Sequence, residues 1–343
     1  MKLIKSVILP CVFKKQCVAL LAGLILTQTA VADEAQKIPF NDYVEQMKTE
    51  AKANGIDTTI VDNAFANVEF LQRSVKSDKA QPEFKLTLDT YLPRAVPDWK
   101  IEQARAAYKK HYPLLQKIGK EYGVQPRFIV ALWGIETNFG NLTGRHYVIS
   151  SLTTMAYEGR REALFKKQLF AALTILEEGH IKQEEFIGSW AGAMGQVQFM
   201  PTSYLNYAVD YDGDGKKDIW NSYADVFASA ANYLKTEGWN YDETWGRQVL
   251  LPDNFDNQLA GIQQQKTLQQ WQELGVRRFD GSALPKVEIK ASIVIPDDAS
   301  GRVYLAYNNY KVLMHWNRSY YFATAVSYLS ERINHPRINA ATK

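Results

Sequence analysis

The apolar residues of this chain change their repeat once, and that switch limits the folds open to it. From Ile38 to about Leu234 the spacing is mostly helical, as in Tyr43, Val44 and Met47, in Ile118 and Tyr122, and in Leu169, Leu173 and Leu176. Such spacing belongs to helices with one buried face. After Gly238 the pattern changes: Val287, Ile289, Ala291, Ile293 and Ile295 alternate, and Arg302 to Tyr307 and Tyr310 to Trp316 read as further strands. Ser319 to Ile333 then returns to helix. The expected class is α+β, mainly helical, with a small antiparallel β lobe within about 247–317. Punctuation falls at Leu251–Asp256 and Pro296–Gly301, without repeats or a low-complexity linker, so one multi-lobed unit over 33–343 is expected.

The first 32 residues are read separately. Lys2, Lys5, Lys14 and Lys15 form a basic region, Val18 to Leu26 is an apolar run, and Ala30-Val31-Ala32 is a small-x-small site before Asp33. That order predicts a cleavable secretory signal peptide over residues 1–32. The other reading, an uncleaved anchor, needs roughly 20 apolar residues and this run is shorter. No Cys follows the run to accept a lipid, so an exported, periplasmic protein without a membrane anchor is expected, as a monomer.

Cleavage removes four of the 40 basic residues and none of the 37 acidic ones, along with Cys11 and Cys17, which are both cysteines of the chain. A net charge near zero gives no support to nucleic-acid binding. Without cysteine, the mature chain can form no disulfide, thiolate nucleophile or thiolate metal site. His111, His146, His180, His315 and His335 have no zinc-ligand spacing, and no Gly-x-Ser-x-Gly elbow occurs. Chemistry is left to carboxylates, hydroxyls, amides or a hard cation. Aromatic residues make up 12% of the chain, more ring surface than its core needs, which fits a substrate with faces to stack on.

Three segments carry the candidate chemistry. In Pro126 to Gly140, proline suits a helix start and glycine its stop, placing Glu136 in the last turn. Phe128, Leu132 and Glu136 are spaced i, i+4, i+8 and share a face. A carboxyl against an apolar wall has its charged form disfavoured and can act as a general acid near neutral pH. Taken alone, it can also be a glutamate that simply reaches solvent.

The second segment runs from Ser189 to Pro201. Small residues at 191, 192, 193 and 195 allow close backbone approach, and Ser189, Gln196 and Gln198 offer neutral groups suited to sugar hydroxyls and acetamides. Composition leaves a tight packing segment equally open. The third, Asp210-Tyr-Asp212-Gly-Asp214-Gly215, is the front half of an EF-hand, with Lys216 at its seventh position. Asn221 stands where a bidentate Glu is usual, and Asp225 is the candidate closing carboxylate. A Ca²⁺ ion with a structural role is the one cofactor the sequence points to; nothing calls for an organic one.

In order and spacing, these segments resemble the membrane-bound lytic murein transglycosylase B family. The matching signatures are Ala131-Leu-Trp-Gly-Ile-Glu-Thr-Asn-Phe-Gly140, Ser189 to Pro201, the calcium loop from Asp210, and Ala231-Asn-Tyr-Leu, with weaker matches through Tyr147 to Arg161 and Trp316-Asn-Arg-Ser. The resemblance implies a lysozyme-like core with a helical lobe, a small β lobe and a groove for glycan strands. It implies cleavage of the β-1,4 bond between N-acetylmuramic acid and N-acetylglucosamine in peptidoglycan without water, leaving 1,6-anhydromuramyl ends. The family's single acid maps onto Glu136, its supporting groups onto Ser189 and Gln198, and Tyr233 and Tyr91 line the site. The competing readings are a muramidase, for which Glu158 or Glu162 is the nearest second carboxylate in sequence, and a non-catalytic peptidoglycan-binding protein.

Overall fold

The computed structural model describes residues 38–79, 86–298 and 301–334; the leader expected over residues 1–32 lies outside them. Helices α1 (Phe40–Ala53), α2 (Thr58–Phe65) and α3 (Gln72–Lys79) come first, then α4 (Leu88–Ala95), α5 (Asp98–Lys110), α6 (Tyr112–Tyr122) and α7 (Pro126–Thr137). Next are β1 (His146–Tyr147), α8 (Val148–Glu158), α9 (Glu162–Glu177), β2 (Ile187–Gly188), α10 (Pro201–Tyr207) and α11 (Tyr223–Thr236). Strand β1 pairs with β2 antiparallel, His146 facing Gly188. The mainly helical expectation holds.

Local chemistry sets several of these starts. Asp57 caps α2 by accepting from the Thr59 and Ile60 amides at 2.8 and 3.2 Å. Helices α7 and α10 open on Pro126 and Pro201, whose missing N–H would have had no helical partner there. Helix α7 is the centre of the core: Phe128, Ile129, Val130, Ala131 and Leu132 are fully buried and Trp133 nearly so. A helix apolar on every side must be surrounded, and α14 (Tyr320–Asn334) runs along it with α5, α6 and α11.

The β lobe is a five-stranded antiparallel sheet in the order β4-β6-β7-β3-β5, formed by β3 (Gly246–Leu250), β4 (Lys266–Thr267), β5 (Arg277–Arg278), β6 (Lys290–Val294) and β7 (Val303–Ala306). Helix α12 (Leu268–Glu273) starts from a capping box of Thr267 and Gln270. It brings Trp271 under the sheet, where its indole N–H donates to Ala291 O at 2.8 Å. Alternation in β6 and β7 is not apolar against polar. Ala291, Ile293, Val303 and Leu305 join the small core around Trp271, whereas Val294, Tyr304 and Ala306 join the main core on the other face. The sheet is thus a partition between two cores.

One expected strand is wrong. Tyr310 to Trp316 lies within α13 (Asn308–Trp316). Large residues at 310, 312, 314 and 316 imitate a period of two, but burial falls on Asn309, Tyr310, Val312 and Leu313, which is helical spacing. The difference has a functional consequence, because it is the end of this helix that delivers Trp316.

Candidate active site

Glu136 sits in the last turn of α7, on the face that carries Phe128 and Leu132, as the spacing predicts. The helix does not run on to Gly140. Asn138 and Phe139 adopt left-handed backbone at φ 51° and 59°, and Gly140 follows at 83°, so the chain reverses just beyond the acid. Phe139 recovers part of that strain by packing its ring on Trp133, with centroids 5.4 Å apart. Gly140 has no substitute here: a Cβ would lie 2.3 Å from Gln196 Oε1.

Glu136 is half-buried as a residue, and desolvation of its carboxyl pushes it up to about 8 from 4.5. The opposing influence is the indole N–H of Trp316, which donates to Oε1 at 2.7 Å. Trp316 in turn packs on Tyr233 and Phe199, with centroids 4.6 and 5.2 Å away. Tyr91, from α4, is near enough for the Glu136 charge to help raise its hydroxyl, after burial, and its ring meets Tyr321 at 5.2 Å. Tyr233 is buried and its hydroxyl is raised by burial and then by Glu237 and Tyr207. Tyr91 is therefore near Glu136, whereas Tyr233 is joined to it through Trp316. The two glutamates considered as a second carboxylate are engaged elsewhere: Glu158 with Lys79 at 2.5 Å, and Glu162 with the Tyr43 hydroxyl at 3.1 Å.

The segment after β2 is a tight loop closed by isolated bridges from Met194 to Gly188 and to Phe199. Ser189 Oγ accepts from the Ala193 amide at 3.0 Å, leaving its own proton available. Gln198, at φ 50°, donates its amide to the carbonyls of Thr143 at 3.1 Å and Gly195 at 3.0 Å, leaving its Oε1 as an acceptor.

Gln196, expected among the ligand contacts, is 7% exposed and engaged at both ends, accepting from Trp133 Nε1 at 2.8 Å and donating to Trp220 O at 2.7 Å. Its backbone carbonyl also accepts from Thr137 Oγ1 at 2.8 Å. It clamps the end of α7. The close approach expected of the small residues is likewise internal, since Cβ atoms at 192 and 195 would meet Leu152 and Ile219 at 2.4 and 2.6 Å.

Asp210, Asp212 and Asp214 converge, with one carboxylate oxygen of each within 4.8 Å of the others. Three hard oxygen donors in one loop suit Ca²⁺. Asp210 accepts from the amides of Gly213, Asp214 and Gly215, Asp214 accepts from the Lys216 amide, and Asp212 from Ser222 Oγ. Asp225 lies beside this trio: burial, with the Asp212 charge adding to it, pushes its carboxyl up. It is fully buried and accepts from the amides of Tyr211 and Asp218 at 2.8 and 2.7 Å, so it braces the loop from beneath. The loop leads into Ile219 and Trp220, the residues that grip Gln196, and so is tied to the end of α7.

The sequence did not single out Trp316 as a partner of the acid. Its only signal was its place in the Trp316-Asn-Arg-Ser match. Among the described residues no helix is long and apolar enough to cross a membrane.

Residues 39–331 match the transglycosylase SLT domain family. Membrane-bound lytic murein transglycosylase B of Escherichia coli (strain K12) is 31% identical over 193 residues, covering 52% of this chain and 53% of that protein, so the match spans about half the length of the curated relative. SltB3 from Pseudomonas aeruginosa, solved in complex with NAG-anhNAM-pentapeptide and with NAG-NAM-pentapeptide, is 40% identical, with TM-scores of 0.82 and 0.83 over 86% of this chain and 79% of that one. The Escherichia coli lytic transglycosylase Slt35 in complex with calcium shares the fold at 24% identity and a TM-score of 0.73, over 88% of this chain and 94% of that one.

Proposed function

The chain belongs to the transglycosylase SLT domain family, and on that footing we propose that it is a periplasmic lytic murein transglycosylase. It cleaves the β-1,4 bond between N-acetylmuramic acid and N-acetylglucosamine in peptidoglycan without water and leaves a 1,6-anhydromuramyl end. The observation that carries this reading is the state of Glu136: a buried carboxyl, pushed up to about 8, whose hydrogen-bond partner is an indole and not a second carboxylate.

Ordinary glycosidases divide the work between two carboxylates. Here one group does both halves. Neutral Glu136 gives its proton to the glycosidic oxygen as the bond to the muramyl anomeric carbon breaks. The positive anomeric carbon is met by the substrate's own N-acetyl oxygen, as in substrate-assisted enzymes. The Glu136 carboxylate then takes the proton of the muramyl 6-hydroxyl as that oxygen closes onto the carbon. Ser189 offers its hydroxyl proton and Gln198 its free carbonyl oxygen to the acetamide and sugar hydroxyls, a positioning role worth several kcal/mol of pre-organisation. Tyr91 and Tyr233 supply aromatic faces beside the acid. Asp210, Asp212 and Asp214, with the chain at Lys216 and Asp225 as the closing carboxylate, would hold Ca²⁺, which would stiffen the loop gripping Gln196.

The test is to incubate purified protein with peptidoglycan and identify the released muropeptides by mass spectrometry. Anhydro ends that disappear in Glu136→Gln are the expected result. Reducing ends would instead make it a hydrolase, and binding without release would make it a glycan-binding protein.

A further inference from the structure

We propose that Trp316 decides which oxygen of Glu136 carries the catalytic proton, reserving Oε2 for both proton transfers. The inference rests on the transglycosylase reading for its rate consequences and on the hydrogen bond itself for the rest. An indole N–H can only donate. Because it donates to Oε1 at 2.7 Å, that oxygen is the carbonyl oxygen of the neutral acid, and the proton sits on Oε2. A hydroxyl at the same place could donate or accept, and would permit either placement.

The indole is fixed from several sides. Its ring lies on Tyr233 and Phe199 at 4.6 and 5.2 Å. The preceding His315 bonds Glu237 Oε2 through Nδ1 at 2.8 Å, and Glu237 Oε1 accepts from the Tyr207 hydroxyl at 2.5 Å. Tyr207 packs on Tyr233 at 4.5 Å. The last turn of α13 is thereby secured to the end of α11, and the N–H cannot leave Oε1 without disturbing that stack.

The proton accounting then closes on one atom. Oε2 gives its proton to the glycosidic oxygen, which departs with the electron pair of its bond to the anomeric carbon. The carboxylate keeps the indole bond on Oε1, so the exposed lone pair is on Oε2. When the 6-oxygen bonds to the anomeric carbon, its proton returns to Oε2 and the acid is restored. Trp316 is thus a positioning residue that makes the two half-reactions use one trajectory.

The experiment replaces Trp316 with β-(3-benzothienyl)alanine, which keeps the bicyclic shape and loses the N–H, with Trp316→Phe as a second variant. Turnover is followed across pH, and the C=O stretch of neutral Glu136 is read by isotope-edited infrared difference against Glu136→Gln. The expected result is a fall in kcat of about tenfold or more with KM within about twofold, and an alkaline limb moved up by about one to two pH units. The C=O stretch should rise, because the oxygen that loses its donor is the carbonyl one. An unchanged stretch, or wild-type kcat and pH profile in the isostere, overturns the proposal. Should the wild type release no anhydro product, the transglycosylase reading fails, while the stretch still decides where the proton sits.

Discussion

Replacing Glu136 with Gln should stop turnover and also stabilise the fold at neutral pH. The folded carboxyl titrates at about 8 and an ordinary glutamate at 4.5. At about 1.4 kcal/mol per unit, the unfolded chain gains roughly 3 kcal/mol at pH 7 by ionising a carboxyl that the fold keeps neutral, rising to about 5 above pH 8. The folded state binds a proton that the unfolded chain has already lost, so this contribution is fully present below pH 4.5 and is lost as pH rises through about 8. Glutamine carries no such proton and still offers Trp316 an oxygen, so its stability should not follow that slope. Urea unfolding of both proteins near pH 5, 7 and 9 measures the difference. The variant should be nearly level with the wild type at the lowest pH and ahead by roughly 3 kcal/mol at pH 7. Parallel curves would refute the claim that burial holds this carboxyl neutral.

Gly140→Ala forces a Cβ to within 2.3 Å of Gln196 Oε1 at a φ of 83°, and should cost about 2–4 kcal/mol, read as a lowered melting temperature. Gln196→Leu strands the Trp133 N–H and the Trp220 carbonyl, so it should lose about 2–4 kcal/mol of stability together with kcat. A Gln196→Leu protein of unchanged stability and raised KM would return this residue to the ligand contacts. Calcium at about a hundred times its Kd should raise stability by about 2.7 kcal/mol, and chelation should reverse it. Asp212→Asn with Asp214→Asn should abolish that response, and a retained response would place the ion elsewhere.

What was legible in the sequence was local. The placement of Glu136 needs only the helical repeat and the flanking Pro126, and the convergence of Asp210, Asp212 and Asp214 needs only its own spacing. The misread strand at Tyr310–Trp316 shows the limit: within a short window, large residues two apart satisfy both periods, and only the surrounding cores decide between them. Gln196 and Gln198 are chemically alike and two positions apart, yet one is a clamp and the other presents a free oxygen, because the tight turn at Gly195 aims them differently. No residue-by-residue reading separates those fates. Trp316 lies 180 positions from Glu136, so its hydrogen bond exists only once α13 and α7 are packed.

That long-range bond resolves a conflict set up by the chain itself. Burial is needed, since a carboxyl left at 4.5 would be only about 0.3% protonated at pH 7, whereas one at about 8 is roughly 90% protonated. Burial without limit would defeat the first half-reaction, because an acid driven far above the working pH gives up its proton too reluctantly. One donor on one oxygen meets both demands. It lowers the cost of the carboxylate and leaves the other oxygen unoccupied for the substrate. The activity of the wild type should therefore fall about tenfold per pH unit above pH 8, the position of Glu136 itself. A profile with its alkaline limb unmoved by loss of the Trp316 donor would show that some other group sets that limb.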